Sequence, residues 1–187
     1  MSLRNKLRNK MKLIILVHEG SAQTNLKAIK DAIEKGKINA EISAVIEDKE
    51  DAMPVIEKML PDYICLAGWK KIIPPEMIEK YENKILNLHP GLIPDVVDGK
   101  VENPDGTEGL WNKGLYGDKA IANFLDKKAT FAGSSIHFLT SKFDFGPVLG
   151  RTFEKIQAED TVNSLYARLK KKENELYVEV LEKLCKK

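Results

Sequence analysis

The sequence predicts an α/β fold in which helices flank a mostly parallel sheet. The first half of the chain alternates between apolar runs of strand length and segments with apolar residues at helical spacing. The first run, within residues 12–18, is apolar from Leu13 to Val17, as expected for a strand buried on both faces. The 187 residues are 43 % hydrophobic, so the chain can bury a substantial core, most simply as one domain.

Strands and helices alternate throughout this first half. The first predicted helix carries Leu26, Ile29 and Ile33 on one face and ends at Gly36. The second contains Pro54, which a helix tolerates in its first turn. Crossovers of this kind are right-handed and give parallel strands, which bind ligands beyond their carboxyl ends. The predicted strands are 12–18, 40–48, 62–68 and 84–89, and the predicted helices are 24–36, 50–60 and 74–83.

The second half begins with an irregular stretch, residues 95–117, that contains five glycines and one proline. A loop of this length inside a domain is usually a functional lid or disordered. Asp160 is the predicted N-cap of the last helix, whose apolar stripe places Glu173 on the inward face. The elements predicted after the loop are a helix at 118–127, two pairing strands at 131–139 and 147–156, and a long helix at 161–184.

Charge and cysteine usage argue against several classes of function. Lys and Arg number 30 against 28 Asp and Glu, a net charge of +2 that gives no basis for nucleic-acid or membrane binding. No apolar run approaches the roughly 18 residues that span a bilayer. Cys65 and Cys185 are far apart and fit neither a metal site nor a disulfide framework, which favours the reducing cytoplasm.

Residues 11–187 are expected to form a single domain. Residues 1–10 are basic and lack the apolar core of a signal peptide. We therefore expect them to be a disordered N-terminus or a remnant of cloning, outside the fold.

Asn87 and His89 stand at the end of the fourth predicted strand. Their spacing of two puts both side chains on one face of an extended segment. An amide donor and a titratable imidazole would then converge at the edge of the sheet where ligands bind. The pair is a candidate active site, although from spacing alone a strand-end cap is as good an explanation.

Several motifs together resemble the folate-dependent formyltransferases, and the resemblance spans roughly residues 12–182. It implies a Rossmann-like formyltransferase fold. The motifs are NLHPGLIP at 87–94, GSSIHFLTSKFDFGPVL at 133–149, EDTVNSLYARLKKKE at 159–173, YICLAGWKKII at 63–73 and NKGLYG at 112–117.

The resemblance implies catalytic roles for Asn87, His89 and Asp144. Asn87 would donate a hydrogen bond to the developing oxyanion, and His89 would move the proton. Asp144 would orient the imidazole and favour its charged form, so turnover should depend on a group titrating somewhat above about 6.5. No metal is expected. The reaction expected is formyl transfer from 10-formyltetrahydrofolate to the amine of phosphoribosylglycinamide, in purine biosynthesis.

The same resemblance implies two binding regions. An anion-binding loop before the first helix would hold the substrate phosphate, and a glutamate on the last helix would hold its ribose. The residues expected to bind this substrate are Gly20, Ser21, Thr24, Asn25 and Glu173, and those expected at the folate are Trp69, Lys71, Ile72, Ile73, Leu139, Thr140 and Ser141. The Ile93–Pro94 bond corresponds to a cis bond in the family.

Some features depart from the family pattern. The loop HEGSAQTN is longer than usual, and Gln23 replaces a glycine. One strand–helix unit is missing before residue 62, whereas the 95–117 loop is longer than in the family. These departures leave open a formyltransferase for another amine, such as an amino sugar nucleotide, or a non-catalytic folate-binding protein.

The remaining predictions concern side chains outside those motifs. His137 is expected to be a residue of the strand face, and lysines 170–172 a solvated surface. The role of His18, at the end of the first strand, is undecided. The chain is expected to be a monomer or a homodimer.

Overall fold

The structure is a computed structural model that describes residues 10–186. It contains six strands and five helices in this part of the chain. They are β1 (Met11–Val17), α1 (Thr24–Glu34), β2 (Ala40–Glu47), α2 (Met53–Met59), β3 (Tyr63–Ala67), α3 (Pro75–Lys80), β4 (Ile85–His89), α4 (Gly117–Asp126), β5 (Phe131–Phe138), β6 (Val148–Lys155) and α5 (Val162–Leu184). The prediction for residues 1–10 lies outside the described residues, except for Lys10.

The six strands form one sheet in the order β2-β1-β3-β4-β5-β6. The strands from β1 to β4 pair in parallel, whereas β5 is antiparallel to both β4 and β6. The predicted α/β fold with a mostly parallel sheet is confirmed. Each predicted element is present, and its ends differ from the prediction by three residues or fewer.

The sheet is covered by helices on both faces. Leu13, Ile15 and Val17 of β1 pack toward α1 and α5, whereas Ile14 and Leu16 pack toward α2 and α3. All five side chains are fully buried. The continuous apolar run of β1 is therefore the consequence of a strand that has no solvent-facing side.

The long loop at residues 95–117 has regular internal hydrogen bonds. The amide of Gly109 donates to Val101 O at 2.8 Å, and the amide of Asn103 donates to Thr107 O at 2.8 Å. Leu92 N also donates to Leu110 O at 2.9 Å, which ties the returning arm of the loop to the chain after β4. Of the two alternatives for this loop, the structure favours an ordered segment.

The Ile93–Pro94 bond is trans, as is every peptide bond of residues 10–186, so the expectation of a cis bond is wrong. Ile93 is held on both sides in this geometry. Its amide donates to Ser135 Oγ at 3.0 Å, and its carbonyl accepts from Arg151 Nε at 2.9 Å. The turn after His89 is thus built by contacts with the antiparallel strands.

The N-cap of α5 is Thr161, not Asp160 as predicted. Thr161 Oγ1 accepts from the amide of Ser164, and Ser164 Oγ accepts from the amide of Thr161, which is a capping box. The Asp160 carboxylate instead accepts from Arg168 and from Ser164 Oγ. Arg168 lowers the pKa of Asp160.

No helix within the described residues is long and apolar enough to cross a membrane. The longest, α5, carries charged side chains along its length, such as Arg168, Glu175 and Glu179. One face of α5 packs on the sheet.

Replacing Thr161 by Ala should lower the free energy of unfolding by about 1 kcal/mol, because the amide of Ser164 loses its acceptor at the start of α5. Urea denaturation followed by circular dichroism measures this change. Thr161→Ser keeps the hydroxyl and should unfold like the unmodified chain. Equal stability of Thr161→Ala and Thr161→Ser would contradict the capping role.

Candidate active site

Asn87 and His89 lie on one face of β4, as the spacing predicts. In the antiparallel ladder Asn87 is opposite His137, and His89 is opposite Ser135. His89 is only 3 % exposed. The sheet therefore presents two histidines and an asparagine together at the junction between its parallel and antiparallel parts.

His137 fixes the orientation of the Asn87 amide. Because a carbonyl only accepts, Nδ1–H of His137 donates to Phe138 O at 3.0 Å, and its Nε2 is left to accept from Asn87 Nδ2 at 3.2 Å. Burial, together with the nearby His89, lowers the pKa of His137 to about 4, so the ring is neutral at pH 7. This bond uses one of the two Nδ2 hydrogens of Asn87, and the second can serve as a donor to a ligand.

The proton of neutral His89 is placed by a backbone carbonyl of the long loop. His89 Nε2–H donates to Trp111 O at 2.7 Å, so Nδ1 carries the lone pair. Nδ1 faces Asp144 Oδ1 at 3.6 Å. Burial lowers the pKa of His89, and the opposing effects of Asp144, Trp111 and Glu173 are smaller. The expectation of titration above about 6.5 is therefore reversed, because desolvation exceeds the attraction of the carboxylate.

Asp144 is held by the same loop. Gly114 N donates to Asp144 Oδ2 at 2.7 Å, and the indole N–H of Trp111 donates to Asp144 O at 2.9 Å. The backbone of Asp144 is in the left-handed region, with φ of 46°. Such a conformation is uncommon for a side-chain-bearing residue and is kept here by these contacts.

Gly91 makes the approach of the loop possible. A Cβ at this position would lie 1.9 Å from Trp111 O and 2.7 Å from His89 Nε2. Any side chain at residue 91 would therefore occupy the position of the carbonyl that contacts His89.

The segment before α1 has the features of an anion-binding loop. Gly20 and Gln23 have left-handed backbones, and α1 begins at Thr24 without a side-chain cap. Its first amides are therefore available to a ligand. Asn25 is 4 % exposed, and its Nδ2 has no hydrogen-bond partner. A buried amide donor is costly without an acceptor, and a bound anion would supply one. Ser21 donates from Oγ to His18 O at 2.8 Å, which closes the turn.

His18, whose role the sequence left undecided, pairs with Asp48 at the ends of β1 and β2. His18 Nδ1 and Asp48 Oδ2 are in hydrogen-bond contact, and the amide of Glu19 donates to Asp48 Oδ1 at 3.2 Å. The bond from His18 lowers the pKa of Asp48. Lys71, predicted at the folate, also contributes to this shift. The pair borders the loop that contains Gly20.

Glu173 is buried on the inward face of α5, as predicted, and is 1 % exposed. Its Oε1 accepts from Ser134 Oγ at 2.7 Å, and its Oε2 lies 2.7 Å from Lys170 Nζ without an aligned hydrogen bond. Burial alone would lower the pKa of Lys170, but the Glu173 carboxylate and the Tyr166 hydroxyl together outweigh it, and the pKa is raised. The inward face of α5 thus contains an ion pair between Lys170 and the buried Glu173.

The prediction that lysines 170–172 form a solvated surface is wrong for Lys170, whereas Lys172 keeps 42 % of its side chain exposed. Lys170 pairs with Glu173, and Lys172 Nζ lies 3.0 Å from Glu154 Oε2. Lys171 is the most exposed of the three. Lys170 pairs with Glu173 on the same helix, whereas Lys172 pairs with Glu154 on β6. The position of β6 beside α5 cannot be seen in the sequence of the helix alone.

Among the residues predicted at the folate, Trp69, Ile73 and Leu139 belong to an apolar cluster, and Thr140 and Ser141 line a groove. Trp69 and Leu139 pack against the apolar cluster under α2 and α3, where Ile73 is buried, whereas Ile72 is 86 % exposed. Trp69 Nε1 is buried without a hydrogen-bond partner. Nearby in sequence to Leu139 is a groove of about 500 Å³. Its lining residues are Asp95, Thr140, Ser141, Lys142, Phe145, Gly146 and Pro147.

Within residues 10–186, no group of three or more His, Cys, Asp and Glu side chains could hold a metal ion. The polar groups that do converge, around His89 and Asp144, are those of an acid–base site. Proton transfer and hydrogen-bond donation are the chemistry that they can supply.

A family model for formyl transferases matches residues 47–181, and the chain belongs to that family. Two curated relatives are phosphoribosylglycinamide formyltransferases. The chloroplastic protein of Vigna unguiculata is 29 % identical, over 93 % of this chain and 61 % of its own length. The protein of Escherichia coli K12 is 24 % identical, over 89 % of this chain and 84 % of its own length. The chain thus spans about 61–65 % of the length of the plant relatives that it matches.

Solved structures confirm the formyltransferase fold. A phosphoribosylglycinamide formyltransferase from Bacillus halodurans superposes with a TM-score of 0.77 at 22 % identity, covering 94 % of this chain and 96 % of that one. A formyltetrahydrofolate deformylase from Pseudomonas syringae gives a TM-score of 0.75 at 14 % identity, covering 94 % and 61 %. At these identities the similarity defines the fold.

The sequence did not reveal three contributors to the site. Gly114 acts through its backbone amide and Trp111 through its carbonyl as well as its indole, and backbone groups leave no signature in residue type. His137 was predicted to be structural. Its position opposite Asn87 would have been visible once an antiparallel strand pair was aligned.

The lowered pKa of His137 makes stability depend on pH. Its pKa is about 4 in the folded chain against an ordinary 6.5, so the unfolded chain binds more protons between these values and stability falls as pH falls through this window. The difference corresponds to about 3 kcal/mol of unfolding free energy. His137→Gln should make this slope shallower in urea titrations between pH 6.5 and 4, while the part due to His89, whose pKa is also lowered, remains. The same slope in both proteins would refute the assignment.

Proposed function

We propose that this chain transfers the formyl group of 10-formyltetrahydrofolate to the amine of phosphoribosylglycinamide, a step of purine biosynthesis. The observation that carries the proposal is the convergence of Asn87, His89 and Asp144. Family membership and the names of the relatives support the same reaction. A protein that only binds folate would not need all three groups.

Each residue has a distinct part in the proposed reaction. 10-Formyltetrahydrofolate supplies the formyl group. Asn87 uses its second Nδ2 hydrogen to stabilise the oxygen on which negative charge develops, and such a donor typically contributes about 3–4 kcal/mol to lowering the barrier. His89 accepts the proton of the attacking amine at Nδ1 and returns it to the folate nitrogen as the bond from that nitrogen to the formyl carbon breaks and tetrahydrofolate leaves. Asp144 then stabilises the resulting imidazolium.

The acceptor is proposed to bind across the carboxyl edge of the sheet. Gly20, Ser21, Thr24 and Asn25 would hold its phosphate, with the orphaned Asn25 Nδ2 as one donor. Glu173 Oε2 would accept a ribose hydroxyl, because Lys170 neutralises the carboxylate without saturating it. The two contacts would point the amine toward His89.

The folate is proposed to bind beside Trp69 and Leu139. Trp69 Nε1 offers a buried donor without a partner, which fits a ligand rich in acceptors. Lys71, Ile72, Ile73, Thr140 and Ser141 complete the proposed set. The long loop would cover this region and exclude water.

The proposed location is the cytoplasm, and the proposed assembly is a monomer or homodimer acting on small molecules. Cys65 and Cys185 are both free and buried, which suits a reducing compartment. Light scattering on the purified protein would give the assembly.

The function is tested by incubating the protein with 10-formyltetrahydrofolate and one amine at a time, following tetrahydrofolate release. Phosphoribosylglycinamide should be the preferred acceptor. Preference for an amino sugar nucleotide would transfer the proposal to that acceptor, and formate release without an amine would identify a hydrolase. Absence of release under all conditions would overturn the catalytic function.

His89→Ala and Asp144→Ala should each reduce kcat for formyl transfer by at least about 100-fold, because the amine loses its proton acceptor or the acceptor loses its counter-charge. Steady-state kinetics measures the effect, and circular dichroism checks that each variant is folded. Near-normal turnover by either variant would contradict the proposed mechanism.

Glu173→Gln should weaken binding of phosphoribosylglycinamide by roughly 10- to 100-fold, because a hydrogen bond to a charged group is lost. Calorimetry with the ribonucleotide, in the presence of a folate analogue, measures the change. Binding of the analogue alone should be unaffected. Glu175→Gln, an exposed change on the same helix, is the control. Equal effects at both positions would remove Glu173 from the ribose site.

A further inference from the structure

We propose that Asn112 is a positioning residue that fixes the tautomer of His89 by anchoring the loop segment 111–114. The inference rests on the proposed function, because it explains how His89 keeps Nδ1 unprotonated and able to accept a proton. It concerns a side chain that contacts neither substrate in the arrangement proposed above.

Asn112 makes three hydrogen bonds that join separate parts of the chain. Its Nδ2 donates to Pro90 O at 3.0 Å and to Ala120 O at 3.0 Å. Its Oδ1 accepts from Asn123 Nδ2 at 2.7 Å. Asn112 is 6 % exposed, so these bonds are shielded from water. The loop is thus anchored both to the residue that follows His89 and to α4.

The residues next to Asn112 contact both members of the candidate acid–base pair. Trp111 O accepts from His89 Nε2, and the Trp111 indole donates to Asp144 O. Gly114 N donates to Asp144 Oδ2. A shift of Asn112 would therefore change the surroundings of His89 and Asp144 at the same time.

The hydrogen bond between His89 Nε2 and Trp111 O decides which nitrogen of His89 bears the proton. A neutral imidazole beside a carboxylate would otherwise favour the Nδ1–H tautomer, which can donate to Asp144. The Trp111 carbonyl selects Nε2–H instead and leaves Nδ1 able to accept a proton. The other ionisable groups that act on the ring are His137, which lies opposite Asn87 on β5, and Glu173 on α5.

The tautomer can be read directly by nuclear magnetic resonance. Two-bond ¹H–¹⁵N spectra distinguish Nε2–H from Nδ1–H, and the chain has only three histidines. At pH 8 the unmodified protein should show His89 as Nε2–H. Asn112→Gly keeps the left-handed backbone at residue 112, where φ is 55°, but removes the anchor. It should shift His89 toward Nδ1–H.

A second variant tests the same contact from the other side. Gly91→Ala places a methyl group 1.9 Å from the present position of Trp111 O, so the carbonyl must move away from His89. It should produce the same change of tautomer while Asn112 is intact. Agreement between the two variants would identify the carbonyl contact as the common cause.

Asn103→Gly is the matched control. Asn103 is also buried in the long loop, and its Nδ2 donates to Thr107 Oγ1 at 3.0 Å and to Glu108 O at 3.3 Å, within the loop tip. This variant should keep the Nε2–H form of His89. An equal shift in Asn103→Gly would mean that general loosening of the loop is responsible, and would overturn the proposal.

Kinetics complete the test. Asn112→Gly should lower kcat about 10- to 100-fold, with little change in KM for 10-formyltetrahydrofolate, because geometry at the reacting atoms is lost. A His89 in the Nδ1–H form in the unmodified protein, or an unchanged tautomer in folded Asn112→Gly, overturns the positioning role. If the tautomer changes as expected but no amine is formylated by the unmodified protein, the proposed function fails and the positioning role stands.

Discussion

The hydrogen bond from His89 to the carbonyl of Trp111 connects the sheet to the long loop and organises the site around it. On the sheet side, β4 delivers His89 at a buried strand end, beside Asn87 and its partner His137. On the loop side, the segment that supplies the carbonyl also holds Asp144 in a left-handed conformation. The catalytic groups proposed here therefore have fixed positions before any ligand binds, which lowers the cost of reorganisation during a reaction.

Burial and charge are balanced differently at the two ends of the site. Around His89, desolvation lowers the pKa of both histidines, so both rings are neutral at pH 7. Around Glu173, the carboxylate is equally buried but has Lys170 and Ser134 as partners. The first environment suits proton acceptance, and the second suits recognition of polar hydroxyl groups.

The fold could be predicted because its signals are local. The apolar run of β1 and the helical spacing around Leu26 depend only on neighbouring residues, and the alternation of elements implies the parallel sheet. The convergence of Asn87 and His89 followed from the two-residue period of a strand. Asp144 came only from resemblance, since nothing in its own sequence surroundings relates it to β4.

The features that the sequence could not predict arise from contacts between residues that are far apart in the chain. The sign of the shift in the pKa of His89 is set by how completely the loop covers the ring, and a single sequence does not contain that quantity. Backbone donors and acceptors, such as Trp111 O and Gly114 N, are equally hidden because every residue carries them. The capping role of Thr161 was missed for a narrower reason, since Asp160 beside it is an equally good cap by type but is engaged by Arg168.

The close approach of the loop to Gly91 has an evolutionary consequence. Because a single methyl group there would displace the loop carbonyl, residue 91 and the path of the 95–117 loop cannot change independently. In a descendant of this chain with a larger residue at 91, the Trp111 carbonyl would lie elsewhere and its contact with His89 would be lost unless the loop took another course.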